Sequence, residues 1–350
     1  MRWLVPPLLL ITGGLAAFNA VVDPFGLTRL VAVDGFNRDK VLVADHRRLV
    51  KAHRIRQEHP RGLILGTSQA DAGLDAGYAG WPAGARPVFN AGLPYANAYE
   101  LLRYFQHALA CGEVREAVVG LDLVSFNAFL GNQADFLEAR LAVDPDGRWQ
   151  RPPVDERLAL LLSWDATWKS IETIRRQGRA KGQGSIDCRT RFLMMEAEYA
   201  HYMWRHGPQR TYSLGDGTPA HSYFDEYRKL LVTARERGVK LRLFFSPVHV
   251  RLLEVARALG WWPVLEEWKS TLAAITDEVN ALDLAGPACE LWDFADYTDV
   301  TTEPVPAAEQ PGAAMAGYTD SAHYSEETGN LVLDRLFGAT PPGRVVPPGF

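Results

Sequence analysis

The chain has 350 residues, 47% of them hydrophobic, and a formal net charge of -5 from 37 Lys and Arg against 42 Asp and Glu. That composition can bury a large core, which excludes a disordered chain and allows one large α/β domain or two ordinary ones. There is no global basic field, so nucleic acid is not an expected partner; three widely spaced cysteines, Cys111, Cys188 and Cys289, show no C-x-x-C pattern and argue against a zinc site or a disulfide framework.

The amino terminus carries no charge from Trp3 to Val22, and about 20 apolar residues suffice to cross a bilayer as a helix. Residues 1–23 are therefore expected to form a membrane anchor, retained rather than cleaved, although Arg2 and the "LAA" at Leu15–Ala17 would also suit a signal peptide. Arg2 leans the orientation toward a cytoplasmic amino terminus. A single-pass inner-membrane protein with its bulk in the periplasm, or another extracytoplasmic space, is the resulting expectation. Residues 24–60 form a juxtamembrane region, in which 38–58, "RDKVLVADHRRLVKAHRIRQE", read as a basic amphipathic helix facing solvent or anionic headgroups.

From residue 61 the pattern changes. Short apolar runs, "GLILGTS", "PVFNAGL" (87–93), "EAVVGLDL" (116–123), "KLRLFFSPV" (240–248) and "CELWDFADY" (289–297), read as strands. Helical patterns at about 97–111, 220–238, 248–259 and 262–281 separate them. Strands alternating with helices predict an α/β fold, a parallel sheet covered on both faces. Residues 135–219 interrupt the alternation with helical, aromatic-rich sequence, read as an insertion packed on the sheet. Within it Trp164 and Trp168 stand one turn apart, a spacing that suits packing or, alternatively, stacking on a sugar. His201 and His206 lack carboxylate neighbours, so no metal is expected. No P-loop and no G-x-G-x-x-G follows a strand, so no nucleotide cofactor is expected either. The closing helix runs from an N-cap at Ser325, through Glu326 and Glu327, to Gly338, and the Pro-rich residues 339–350 read as a mobile tail.

In open parallel sheets, reactive groups gather at the carboxyl ends of the strands. Ser68 ends the first strand, Gly92 the second and Asp122 the third. A serine at a strand-to-helix turn can expose its hydroxyl and use backbone N–H groups for an oxyanion, but it needs a base. Asp320 and His323, in "GYTDSAHYS" before the closing helix, supply an orienting acid and a base from one short loop. Local turn hydrogen bonding ahead of that helix is the plainer reading of the same two residues. His249 in "FFSPVHVR" is a competing base or, alternatively, a helix-start residue; Arg251 and Lys269 are candidates for an anionic group, and Asp293 and Asp296 for a site rim.

"GTSQ" after the first strand, "NAG" after the second and "DSAH" before the last helix resemble the SGNH, or GDSL-like, hydrolase superfamily, over residues 60 to 338. The resemblance is strongest to its membrane-anchored branch that modifies cell-surface polymers, including the teichoic acid D-alanylation and alginate acetylation proteins. It implies a three-layer, flavodoxin-like α/β sandwich over residues 61–338, with the 135–219 insertion. It further implies Ser68 as nucleophile, His323 as base and Asp320 as orienter, with the N–H groups of Ser68 and Gly92 around the oxyanion and Asn90 beside them. Two departures stand out: "GDS" is "GTS" here, and the Gly-x-Asn-Asp block is replaced by "GLDLVSFN", which leaves Asn127 or Asn97 as candidate side-chain amide donors. The expected activity is that of a serine acyltransferase or esterase acting on an extracytoplasmic polysaccharide, with an acyl donor, a membrane-protein partner and no cofactor. A non-catalytic, glycan- or partner-binding scaffold of the same fold is the alternative.

Overall fold

The computed structural model describes residues 5–40, 43–151, 161–178, 186–206, 212–214, 222–310, 312–338, 345–347 and 349–350. The chain divides into two units, residues 1–57 with 135–185, and residues 58–134 with 186–350. The stretch 135–219 is thus shared between them rather than forming one insertion.

In the first unit, α1 (Val5–Val22), α2 (Arg47–Glu58, whose last residue belongs to the second unit) and α5 (Trp164–Arg176) are the α-helices described. Asn19 of α1 is buried, yet its amide is satisfied: Nδ2 donates to Thr167 Oγ1 at 3.0 Å and Oδ1 accepts from Ser170 Oγ at 2.9 Å. The packed face of α5 is therefore small and polar, built from Ala166, Thr167, Ser170 and Thr173. Trp164 and Trp168 lie off that face, 77% and 54% exposed, so their one-turn spacing is not a core signal here. The basic helix begins only at Arg47, after a 3-10 turn over Val43–His46. Asn37, ahead of that turn, holds the preceding loop: its side chain accepts from Val33 N and donates to the carbonyls of Val21 and Val31. Among the described residues no helix is long and apolar enough to cross a membrane. Arg2 and Trp3, on which the orientation and the start of the apolar run depend, lie outside the described residues.

The second unit holds a five-stranded, all-parallel sheet in the order β2-β1-β3-β4-β5, formed by β1 (Gly62–Leu65), β2 (Val88–Asn90), β3 (Glu116–Leu121), β4 (Lys240–Phe245) and β5 (Glu290–Asp293). All five predicted strands are present. β1 and β3 are buried throughout, as continuous apolar strands of a doubly covered sheet should be. Ile64, Val118 and Phe244 share one core cluster with Ala70 of α3 (Ser68–Gly73) and with Leu333 and Leu336 of α10 (Glu326–Phe337). Helices α4 (Ala98–Cys111), α7 (Tyr223–Glu236) and α9 (Trp262–Asn280) form a second packed set, with α4 touching β1 and α7 touching β4. Two more helices, α6 (Cys188–His206) and α8 (Val250–Ala258), pack on each other.

The chain order places β1 beside β3, so the connection direction reverses between them; a crevice opens at the carboxyl ends of such neighbours. Two glycines shape what stands there. Gly66, between β1 and α3, has φ 142°, and a Cβ on it would lie 2.7 Å from Ala70 Cβ. Gly329 of α10 crosses Gly73 of α3 so closely that a Cβ would meet the Gly73 carbonyl oxygen at 1.7 Å. The crossing fixes α10, and the loop before it, against the helix that starts with Ser68. The described part of the carboxyl-terminal tail is also held: Phe350 is buried against Phe294, and Arg335 donates to the Pro347 carbonyl at 2.9 Å.

Candidate functional site

Ser68 is the first residue of α3, and its N-cap Thr67 closes the turn by accepting the Gln69 N–H at 3.3 Å. The same Thr67 hydroxyl donates to Asp122 Oδ2 at 2.5 Å, joining the end of β1 to the end of β3 across the crevice. Asp122 is 5% exposed. Burial raises its pKa, against the hydrogen bonds from the Thr67 and Ser246 hydroxyls and the nearby His323. The threonine of "GTS" thus ties the Ser68 turn to a buried carboxyl supplied by the neighbouring strand.

Residues 318–324 form a small loop closed by a bridge between Tyr318 and Tyr324. Tyr318 Oη donates to the Pro247 carbonyl at 2.9 Å, and the His249 N–H to the Ser321 carbonyl at 3.1 Å, so the loop is pinned behind the end of β4. Asp320 Oδ1 accepts the N–H groups of Ala322 and His323, each at 2.9 Å. Its carboxylate also receives His323 Nδ1, at 2.9 Å to Oδ2 and 3.0 Å to Oδ1. Both readings of Asp320 are therefore met by one carboxylate, which holds the turn and orients the ring. Burial opposes its ionisation, but the hydrogen bonds from His323 and from the two N–H groups prevail and keep its pKa below the ordinary value. With Nδ1–H directed to Asp320, Nε2 is left as an acceptor, and Ser68 Oγ lies 2.8 Å from it. The arrangement can move a proton from the serine hydroxyl to the imidazole while the carboxylate steadies the charged ring.

The remaining expected residues fall elsewhere. Asn90 Nδ2 donates to the carbonyls of Ala70 (3.0 Å) and Leu74 (2.9 Å), clamping α3 from below. Its Oδ1 accepts the Gly92 N–H at 2.9 Å, so that N–H is engaged rather than open to an oxyanion. Gly92 itself is required for close approach, since a Cβ would lie 2.7 Å from Asp71 N. Asn127 Oδ1 accepts from Phe129 N and Ser213 N, and its amide bonds the Tyr202 hydroxyl. Asn97 caps α4 and donates to Tyr223 Oη at 2.8 Å. The Ser68 N–H stands at the first position of a helix, where no intrahelical acceptor exists.

His249 is a structural histidine: buried, it donates Nε2–H to the Glu303 carbonyl and accepts the Arg251 N–H on Nδ1. Burial lowers its pKa. Arg251 forms a two-point ion pair with Glu196, and Lys269 pairs with Asp293, so neither cation stands open to an anion.

Sequence reasoning passed over Gln69 and Tyr95. Among the described residues, Gln69 is the one side-chain amide lining the cavity beside Ser68, and its Oε1 is buried without a partner. Adjacency to Ser68 in "GTSQ" was the available signal. Tyr95 lines the same cavity with a left-handed backbone, φ 53°, a conformation that costs a non-glycine residue about 1–3 kcal/mol and concentrates at working sites. Its ring would not have been placed by periodicity, because it lies in the irregular "LPYAN" connection.

Comparison with known proteins returns no matching family model, no matching curated sequence and no matching solved structure. What stands is an α/β fold with a five-stranded parallel sheet, in which a Ser-His-Asp relay sits at the carboxyl ends of the strands.

Proposed function

We propose that the chain is a serine esterase or O-acyltransferase of the SGNH type, with Ser68 as nucleophile, His323 as general base and Asp320 as orienter. The observation that carries this reading is the continuous relay from Ser68 Oγ to His323 Nε2 at 2.8 Å and from His323 Nδ1 to Asp320 at 2.9 Å. These groups come from loops 255 residues apart and converge at the sheet position where α/β enzymes bind ligands. In the reaction, Ser68 Oγ bonds the acyl carbon of an ester or thioester, and the bond to the leaving group breaks. The serine proton passes through His323 to the departing oxygen or sulfur. Water or an acceptor hydroxyl then attacks the acyl-enzyme, giving its proton to His323 and freeing Ser68. The oxyanion is served by the Ser68 N–H, with the Gln69 carboxamide as its side-chain donor once Nε2 takes the position that the unpartnered Oε1 holds.

A cell-envelope polysaccharide as acceptor, a membrane-protein partner supplying the acyl donor, and an inner-membrane location with an extracytoplasmic domain belong to the same proposal. Their support is the apolar run up to Val22 and the exposed Trp164 and Trp168 on α5, which packs against α1, since indoles favour the membrane-water interface. A scaffold without catalysis is the rival. It is favoured by the engagement of the Gly92 N–H and of the Asn90, Asn97 and Asn127 side chains in structural bonds. Labelling of the detergent-solubilised full chain with a fluorophosphonate separates the two. Labelling that is lost in Ser68→Ala and His323→Ala is expected; absence of labelling in folded wild type favours the scaffold.

A further inference from the structure

A cavity of about 280 Å3 begins at Ser68 and Gln69 and extends between α6, α8 and α9. Asp122 and Ser246 line it with Ser68, and the carboxylates of Glu198 and Glu266 also reach it, while Leu253, Ala256, Met203, Leu265, Trp261 and Trp268 form a largely apolar wall. Ala256, Trp261 and Trp268 are almost fully buried. The polar atoms of this wall are already engaged within the protein. Trp261 Nε1 donates to the Met203 carbonyl at 3.1 Å, and Tyr212 Oη donates to the Leu123 carbonyl at 2.8 Å. Lys269, on the same lining, is held by Asp293 and by the Ala295 carbonyl. The exception among the described residues is Trp268 Nε1, a single donor without an acceptor. A single donor cannot serve the several hydroxyls of a sugar.

We infer that this cavity is an acyl pocket, and that the group carried by Ser68 is a hydrocarbon chain of medium length rather than an acetyl group. The inference rests on the esterase or acyltransferase reading of Ser68 and names its substrate class. An acetyl group would leave most of the cavity empty. A hydroxylated acyl group would lose its hydration against the apolar wall without gaining hydrogen bonds from it. A water needs about 10–15 Å3 of such volume, so 280 Å3 has room for a chain of many carbons. Chemistry balances as before: the chain's carbonyl carbon exchanges its bond to the leaving oxygen or sulfur for one to Ser68 Oγ, with the proton passing through His323.

The test uses the solubilised full chain with two alkyl fluorophosphonates, methyl and octyl, and a series of p-nitrophenyl esters from acetate to dodecanoate. Each buried methylene is expected to raise kcat/KM about fourfold, so octanoate should exceed acetate at least 100-fold, and the octyl probe should label Ser68 correspondingly faster. Leu253→Trp, which adds bulk at the apolar wall, should reduce the octanoate-to-acetate ratio at least tenfold; should that variant fail to fold, the wild-type series decides alone. Labelling of Ser68 at equal rates by both probes, with a flat ester series, overturns the acyl pocket and leaves the triad standing. No labelling by either probe overturns the triad reading, and the acyl pocket falls with it.

Discussion

Gly329→Ala puts the positioning of the relay to a direct structural test. Its Cβ would lie 1.7 Å from the Gly73 carbonyl oxygen, whereas ordinary contact begins at 3.4 Å, so the two helices must separate by about 1.7 Å. Ser68 opens one of these helices, and His323 precedes the other by three residues. The Ser68 to His323 contact is 2.8 Å, and a displacement of even half that amount takes it beyond hydrogen-bond range. Overpacking of this kind costs about 1–3 kcal/mol, and a misplacement of about 1 Å at reacting groups costs on the order of 100-fold in rate. The expected result is therefore a modest loss of stability by chemical denaturation with a disproportionate loss of fluorophosphonate labelling rate. Gly131→Ala is the control, because nothing lies within 4 Å of the added methyl and its φ is not in the left-handed range. A Gly329→Ala protein that labels within threefold of wild type would refute the claim that this crossing positions the base.

Asp320→Asn should lower turnover by on the order of 10³–10⁴-fold, because the ring loses the carboxylate that fixes its tautomer. Since the folded pKa of Asp320 is depressed, its contribution to stability is full above the ordinary carboxylate value of 3.8 and is lost as pH falls through the lower folded value. Denaturation curves taken through that acid range should accordingly be flatter for Asp320→Asn than for wild type. Thr67→Val removes the hydroxyl that serves both the Gln69 N–H and the buried Asp122, and should destabilise the protein by about 1–3 kcal/mol in thermal or chemical unfolding. Gln69→Ala should reduce kcat by roughly 100- to 1,000-fold with little change in KM if its amide serves the oxyanion, and equal loss in both parameters or neither would count against that role.

The strands and the relay were legible because each rests on a local signal. Apolar runs such as "LIL" and "EAVVGL" can be nothing but buried strands once helices separate them, and Ser68, Asp320 and His323 stand at chain positions that a parallel sheet brings to one edge. The oxyanion side was not legible. Whether Asn90 faces the crevice or turns under α3 depends on how closely Gly92 lets that helix approach, and no spacing encodes that distance. The cavity was hidden for a related reason: Met203, Leu253, Ala256 and Trp261 belong to separate helical segments, each of which reads as ordinary core. The pair Trp164 and Trp168 misleads because helical periodicity reports spacing but not which face is covered, and here the polar face of α5 is the one that meets Asn19.

The central claim, that Ser68 forms an acyl-enzyme, is tested most directly by acid-quenching the solubilised protein during turnover of p-nitrophenyl octanoate and mapping the added mass by peptide mass spectrometry. An octanoyl increment is expected on the peptide containing Ser68, absent in Ser68→Ala and accumulating when water is the only acceptor. Turnover with no increment at Ser68, or with the increment on another residue, would contradict it.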